Sequence, residues 1–296
     1  MSHLAALCSW CRLPTKWGYL QHITGIAKEI GGVGCLQNGG TYSKEHIRQE
    51  MFTLRVLGSS SSGNCYLLEA DDGVLIIETG VRLSEVKKAL RWQINRIVGA
   101  VVSHEHNDHA GYIKEYLQAG IQVLALQNVF DAKRVSGHPF ARPVNTMHGY
   151  IVGGFKVFTI PVAHDVPCIA FIIEHEEMGR LFFITDTMML EYRLPKINHW
   201  LLECNYSDKI LRENIDNGIV PSAMKPRLLH SHMELETAKG ILRANDLSAT
   251  KEIVLIHLSD NNSDPYMFTE EIEGLIGVPT YIAEKGLTIE LQNIIT

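Results

Sequence analysis

The sequence lacks a hydrophobic segment long enough to cross a membrane. A transmembrane helix needs about 20 predominantly apolar residues in a row, and no apolar run in this 296-residue chain approaches that length. The first residues also lack a charged segment followed by a long apolar core, so a secretory signal peptide is not expected. Both absences favour a cytoplasmic protein that has no membrane partner.

Positive charge and cysteine are also scarce. Lys and Arg number 27 against 33 Asp and Glu, which gives a net charge of −6. A broad basic surface for nucleic acid is therefore excluded, although bound metals and a local patch could still engage DNA. The six cysteines are scattered, which without an export signal favours free thiols in a reducing cytosol. A hydrophobic content of 46% is typical of a globular protein, with one large α/β domain or two small ones.

Three histidines and an aspartate lie within the six-residue string His104-Glu105-His106-Asn107-Asp108-His109. The β-branched apolar run that precedes it, residues 97–102, predicts a buried strand, so the string follows the carboxyl end of that strand. Imidazole and carboxylate groups suit zinc, manganese and iron. His104 and His106 can point at one metal, and Asp108 and His109 at a second. A histidine-rich surface loop is the alternative.

This string resembles the metal-binding motif of the metallo-β-lactamase superfamily. The resemblance runs from Met51 to the C-terminus and implies an α/β fold, the αββα sandwich, with a di-metal site at the strand ends. Three further stretches are similar to the YycJ/WalJ-type exonuclease group: the serine turn 58–64, residues 201–206, and the HLSxxN run from His257 to Asn262.

The resemblance divides the chain into two parts. Residues 51–296 would form the hydrolase domain, and residues 1–50 would be an N-terminal extension of uncertain order. Cys8 and Cys11 in that extension have the spacing of half a zinc site, which His22 or Cys35 could complete. A chance CxxC spacing is the favoured interpretation.

The remaining ligands are implied by the resemblance, one at each of three predicted strand ends: His164, Asp186 and His257. A structural histidine is the alternative for His164, and a helix N-cap is the alternative for Asp186. The family correspondence sorts all seven ligands into two sets. One metal would be held by His104, His106 and His164, the other by Asp108, His109 and His257, with Asp186 bridging them.

Several residues are expected to support this site. Glu78 stands where the superfamily usually has an aspartate that supports the metal loop, so that support could be shifted or replaced. Glu203 and Asn205 are candidates for contacts behind the ligands, with ordinary loop polarity as the alternative. By resemblance, His232 would be the general acid because imidazole titrates near neutrality. Asp108 would also serve catalysis.

Other polar features have a less specific interpretation. His138, His148 and His230 are read as surface or loop histidines. The serine turn is read as a plain hairpin connection rather than a substrate-contacting loop. Ser84 is predicted to cap a helix over residues 84–90, and residues 208–243 are predicted to be helical. The mixed charges of residues 208–243 favour a solvated helical face over a phosphate-binding patch.

The predicted reaction is metal-dependent hydrolysis of a phosphodiester, most specifically by a DNA exonuclease. Two zinc or manganese ions about 3.5–4 Å apart can share a water and present hydroxide at neutral pH, and they stabilise the charge that develops on phosphate. The ~100-residue insertion of larger RNA-processing relatives is missing between Asp186 and His257. The alternatives are a thioesterase or lactonase, and a non-catalytic metal-binding protein that acts through partners. The oligomeric state stays open.

Overall fold

The computed structural model describes residues 52–291 except 222 and 224. The predicted extension, with its Cys8 and Cys11 pair, lies outside the described residues. Within them, no helix is both long enough and apolar enough to span a bilayer. The three described cysteines are buried free thiols, as predicted for a reducing compartment: Cys65, Cys168 and Cys204.

The first of two seven-stranded sheets combines the beginning and the end of the described chain. Its strands are β1 (Thr53–Gly58), β2 (Cys65–Glu69), β3 (Val74–Ile77), β4 (Ile97–Val101), β5 (Val123–Ala125), β6 (Ala141–Pro143) and the last strand, β14 (Thr288–Glu290). Their order is β14-β1-β2-β3-β4-β5-β6. The pairings from β14 to β3 are antiparallel and those from β3 to β6 are parallel. The last strand, β14, therefore forms one edge of this sheet.

The second sheet repeats this arrangement. Its strands are β7 (Gly149–Val152), β8 (Phe155–Val162), β9 (Cys168–His175), β10 (Gly179–Ile184), β11 (His199–Glu203), β12 (Glu252–Ile256) and β13 (Thr280–Ile282). The order is β13-β12-β11-β10-β9-β8-β7, with antiparallel pairing from β7 to β10 and parallel pairing from β10 to β13.

Eight helices of the described residues surround the sheets. They are α1 (Leu83–Ala89), α2 (Asn107–Ala110), α3 (Ile113–Gln118), α4 (Gln127–Ala132), α5 (Asp208–Asp216), α6 (Lys225–Ser231), α7 (Leu235–Ala244) and α8 (Pro265–Ile276), and a 3-10 turn covers Ile94–Arg96. The best-defined helix is α8. Asp264 accepts from the Met267 N–H at its start, Pro265 opens it, and left-handed Gly277 ends it.

Alternating side chains explain the layers. In β2, Tyr66 and Leu68 face the core between the sheets, where Phe171 and Phe183 of the second sheet also lie. The other β2 face packs against α1, α3 and α4. Helices α7 and α8 cover the second sheet around Trp200. Because each sheet is covered on both faces, its central strands are apolar throughout. The predicted αββα sandwich is confirmed.

Two helix predictions are wrong in detail. Ser84 does not cap α1: the N-cap position is Arg82, and no side chain of the capping residue bonds there. Glu115 of α3 instead accepts the Leu83 N–H at 3.0 Å, so a tertiary contact replaces the local cap. Residues 208–243, predicted to be helical, form three helices with non-helical residues between them, and Gly218, at a φ of 70°, follows the end of α5.

Strand direction brings the candidate residues to one edge. Strands β10, β11 and β12 are parallel, so Asp186, Glu203 and His257 lie at the same end of the second sheet. Left-handed backbone follows three strands, with φ values of 67° at Glu78, 50° at Asp186 and 56° at His257. Non-glycine residues adopt this conformation only where surrounding contacts hold it, and such positions concentrate at functional sites.

We expect that Gly80→Ala displaces α2, the short helix that carries Asp108. A Cβ at Gly80 would lie 1.7 Å from the Asp108 carbonyl oxygen, so the backbone must move. The free energy of unfolding should fall by at least about 2 kcal/mol. Gly274→Ala is the matched control. A Cβ at this exposed position of α8 meets nothing within 4 Å, and the substitution should raise the free energy of unfolding by up to ~1 kcal/mol. Thermal unfolding followed by circular dichroism measures both, and equal midpoints would contradict the packing argument.

Candidate metal centre

Three predicted ligands, His104, His106 and His164, converge from two loops. The ligand atoms of the three lie within 4.8 Å of one another, and His164 Nε2 is 3.2 Å from His106 Nδ1. Nitrogens that share a tetrahedral zinc lie about 3.3 Å apart, given zinc–nitrogen bonds of ~2.0–2.1 Å. The geometry of this triad therefore fits a single cation.

His104 gives an independent test of that fit. The side chain is fully buried, and its Nδ1 lies 2.9 Å from the Ser103 hydroxyl. Its Nε2 has no hydrogen-bond partner among the described residues, which is costly for a buried polar atom unless a ligand binds it. Burial, together with neighbouring histidines, holds the pKa of His104 well below its usual range. The neutral imidazole is the form that binds metals.

The second triad, Asp108, His109 and His257, is equally close. Asp108 Oδ2 lies 3.1 Å from His109 Nε2 and 3.2 Å from His257 Nε2. Burial opposes ionisation of Asp108, but hydrogen bonds to the two histidines hold the pKa of its carboxyl far below the usual value. The carboxylate is therefore ionised at neutral pH, as a ligand must be.

Asp186 lies next to both triads. Its Oδ2 is 2.7 Å from His109 Nε2, and Asp186, His104 and His109 form a further group with ligand atoms within 4.8 Å. Burial would raise the pKa of Asp186, but His257 and His109 outweigh it and hold the pKa well below the usual value. Residues 187–198 are all described and contain no helix. The N-cap alternative for Asp186 is therefore wrong.

Glu78 still supports the metal loop despite its extra methylene. Its two carboxylate oxygens lie 3.2 and 3.3 Å from the Ser103 backbone nitrogen, which donates to them. Its Oε1 is also 3.5 Å from His109 Nδ1. Glu78 therefore holds the backbone directly before His104 and lies beside His109.

His232 lies beside the cluster, against two carboxylates. Its Nδ1 is 2.8 Å from Glu203 Oε1 and 3.1 Å from Asp186 Oδ1. Burial would lower the pKa of His232, but the hydrogen bonds to Asp186 and Glu203 raise it to about 10. The second oxygen of Glu203 accepts the Thr187 N–H at 3.0 Å. Glu203 therefore links His232 to the loop that carries Asp186.

Of the other polar residues considered in the sequence, one contacts the cluster and three histidines lie outside it. Asn205 Nδ2 lies 3.2 Å from His257 Nδ1 and donates to the His257 carbonyl at 2.7 Å, so it supports that residue from behind. His230 is exposed on α6. Neither it nor His138 nor His148 belongs to any group of ligand atoms in the described residues.

The serine turn holds the cluster in place, which the sequence analysis missed. Asn64 is fully buried; its backbone N–H donates to the Asp108 carbonyl at 2.7 Å, and its Nδ2 is 3.1 Å from His109 Nε2. The Ser59 hydroxyl accepts the His257 N–H at 3.0 Å. The interpretation as a plain connection is therefore incomplete. No local pattern marks Asn64, because its partners are 44 and 45 residues away.

Asp165 is a second residue that the sequence analysis missed. Its Oδ1 lies 3.0 Å from His164 Nε2 and 3.4 Å from His106 Nε2. The signal for it was its place directly after His164. A cavity of about 310 Å³ covers the cluster and is lined by Ser61, His106, Asn107, Asp108, His164, Asp165, Asp186, Ser231, His232 and His257.

Comparisons with known proteins agree with the resemblance drawn from the motifs. A model of the metallo-beta-lactamase superfamily matches residues 60–129. The exodeoxyribonuclease YycJ of Bacillus anthracis is 28% identical over 225 residues, which are 70% of this chain and 83% of that protein. The exodeoxyribonuclease WalJ of Streptococcus pneumoniae is 25% identical over 229 residues, 72% of this chain and 83% of that protein.

Solved structures share the fold. The metallo-beta-lactamase fold protein YhfI of Bacillus subtilis superposes with a TM-score of 0.64 at 16% identity, covering 81% of this chain and all of YhfI. A diphosphatase of the PhnP family gives a TM-score of 0.53 at 17% identity over 81% of this chain and 98% of that one. The fold and the similarity to YycJ and WalJ are thus confirmed. Together with the histidine and carboxylate cluster, they support a hydrolase of the metallo-β-lactamase fold that binds divalent metal.

We expect Asn64→Ala to weaken metal binding by roughly 10–100-fold, which is the usual effect of removing a residue that hydrogen-bonds to metal ligands. Asn64 fixes both Asp108 and His109, so its removal loosens one triad. Ser62→Ala on the same turn is the control, because the Ser62 hydroxyl is exposed and contacts only Ser60. Competition with a chromogenic chelator measures the affinity. Equal affinity in the two variants would show that the turn does not position the triad.

Proposed function

We propose that this protein is a phosphodiester hydrolase that binds two zinc or manganese ions and degrades DNA from an end. The observation that carries the proposal is the carboxylate of Asp186 between two separate ligand triads, the pattern of a two-metal site. The names of the relatives, exodeoxyribonucleases YycJ and WalJ, supply the substrate class. A small local site on an acidic chain is compatible with DNA, because only the reacting end has to enter it.

In this proposal, one cation would be held by His104, His106 and His164 and the other by Asp108, His109 and His257, and Asp186 would serve both. Bound there, the cations would activate a water and neutralise charge on the phosphate. Asp108 would do more than bind: its carboxylate, fixed by its contacts with His109 and His257, would orient the attacking water.

His232 would give the proton to the leaving alkoxide. Its Nδ1 faces Glu203 and Asp186, and Nε2 has no partner among the described residues, so Nε2 is the nitrogen available to the substrate. The two carboxylates favour the protonated ring, which is the form that a general acid requires. A cation bound to Asp186 would draw on its negative charge and so would lower the pKa of His232 from this raised value.

We expect the purified protein to hold close to two equivalents of zinc or manganese, and Asp186→Ala to hold fewer, because that carboxylate contacts both triads. Elemental analysis on protein of known concentration measures the ratio. The two-metal proposal would be wrong if the parent protein bound less than one equivalent and the variant bound as much.

The substrate class is decided by direct comparison. End-labelled DNA and bis(4-nitrophenyl) phosphate should be hydrolysed faster than a panel of thioesters and lactones, because a two-cation site neutralises phosphate oxygens particularly well. Both metals should be tried, with Asp108→Ala as the inactive control. Efficient lactone or thioester hydrolysis without any nuclease activity would favour the small-substrate alternative.

His232→Ala should lower the rate on DNA by roughly 10²–10⁴-fold while both metals stay bound. A nitrophenyl phosphodiester should lose much less, because nitrophenolate leaves without a proton. His230→Ala, a change of an exposed histidine on α6, the helix that ends just before His232, should leave both rates unchanged. Equal losses on the two substrates, or release of metal, would show that His232 is not the acid.

A further inference from the structure

A second cavity adjoins the metal centre and shares His232 with it. Its volume is about 560 Å³, and its lining includes Met188, Met189, Leu229, Arg212 and Lys225. We propose that this cavity, which we call the side cavity, binds the nucleoside attached to the scissile phosphate. The inference rests on the proposed phosphodiesterase function and adds where the substrate lies.

The walls of the side cavity suit a nucleobase. Met188, Met189 and Leu229 are 36%, 42% and 39% exposed, and three large apolar side chains exposed around one cavity indicate a binding surface. Methionine is flexible and polarisable, so it packs against aromatic rings of different outline. A cavity of this volume also falls within the usual range of about 300–1,000 Å³ for small-ligand sites.

The charges suit a phosphate at the same place. Arg212 and Lys225 both pair with the single carboxylate of Asp208, Lys225 at 3.9 Å. The other carboxylate of the cavity, Glu234, is used as the cap of α7, where it accepts the N–H groups of Glu236 and Thr237. The Arg212 side chain is 66% exposed, so N–H groups of its guanidinium remain available to donate hydrogen bonds to a phosphate oxygen.

A larger cavity elsewhere on the protein is less suitable. It measures about 610 Å³ but shares no lining residue with the cavity over the metal cluster. Three acidic residues, Glu85, Asp260 and Glu284, line it together with only two cations, Arg82 and Lys285. Arg82 is further paired with Glu115 at 3.1 Å. A nucleic-acid backbone would meet net negative charge there, whereas the side cavity continues directly from the reacting centre.

Small diesters test the proposal with the metal-loaded protein. The 4-nitrophenyl esters of thymidine 5′-phosphate and thymidine 3′-phosphate are compared with methyl 4-nitrophenyl phosphate. At least one thymidine ester should be preferred in kcat/KM by about tenfold, within the range expected for base packing. The double variant Met189→Ala/Leu229→Ala should reduce that preference to nearly one. Met147→Ala, a change of an equally exposed methionine outside these cavities, should keep it.

The outcomes distinguish a failure of nucleoside binding in the side cavity from a failure of the phosphodiesterase function. If the methyl ester is hydrolysed but neither thymidine ester is preferred, or if the double variant keeps the preference, the side cavity does not bind the nucleoside and the phosphodiesterase function stands. If no diester and no DNA is hydrolysed by protein that holds its metals, the proposed function and this inference fail together.

Arg212→Gln provides a second, electrostatic measurement. It should raise KM for end-labelled DNA severalfold and reduce the slope of log(kcat/KM) against log salt by about one, the change expected for the loss of one phosphate contact. Lys209→Gln, on the same helix but outside the cavity lining, should leave the slope unchanged. Equal slopes for the two variants would overturn the assignment of Arg212 to a substrate phosphate.

Discussion

The concentration of buried negative charge at one edge of the sandwich is the constraint on which the rest of the structure depends. Glu78, Asp186 and Glu203 are almost fully buried, and Asp108 lies beside them. Their hydrogen bonds and ion pairs in the described part of the chain go to histidines, amides and hydroxyls rather than to Lys or Arg. Buried carboxylates are costly without compensating positive charge. A divalent cation at this edge would supply such charge.

The fold makes this concentration possible. Parallel strands in the middle of both sheets end at the same edge, so single residues from distant segments meet without any one loop carrying the whole site. The left-handed backbone at Glu78, Asp186 and His257 directs these three side chains towards the cluster at the strand ends. The serine turn and Asn205 then fix the ligands from behind. Local strain is tolerated here because an extensive surrounding structure holds it.

The ligand string could be predicted because its signal is local, and the strand-end ligands could be predicted because the family resemblance assigns them. His104 to His109 lie in one short stretch, and His164, Asp186 and His257 each follow a recognisable apolar strand. The contacts that support them could not be predicted. Asn64 touches residues 44 positions away, and the start of α1 depends on Glu115 rather than on Ser84. Such contacts depend on packing between elements, which leaves no periodicity in the sequence.

The sequence by itself determined the layered α/β architecture and the position of the metal-binding string, because apolar periodicity and ligand spacing are properties of short segments. The family resemblance added His164, Asp186 and His257 as candidate ligands. Only the tertiary structure decided that Glu78 reaches the Ser103 backbone next to the ligand string, and that His232 meets both Glu203 and Asp186. It also placed a partly apolar cavity beside the cluster. These features depend on distances between segments far apart in the chain, and only the packing of the two sheets sets those distances.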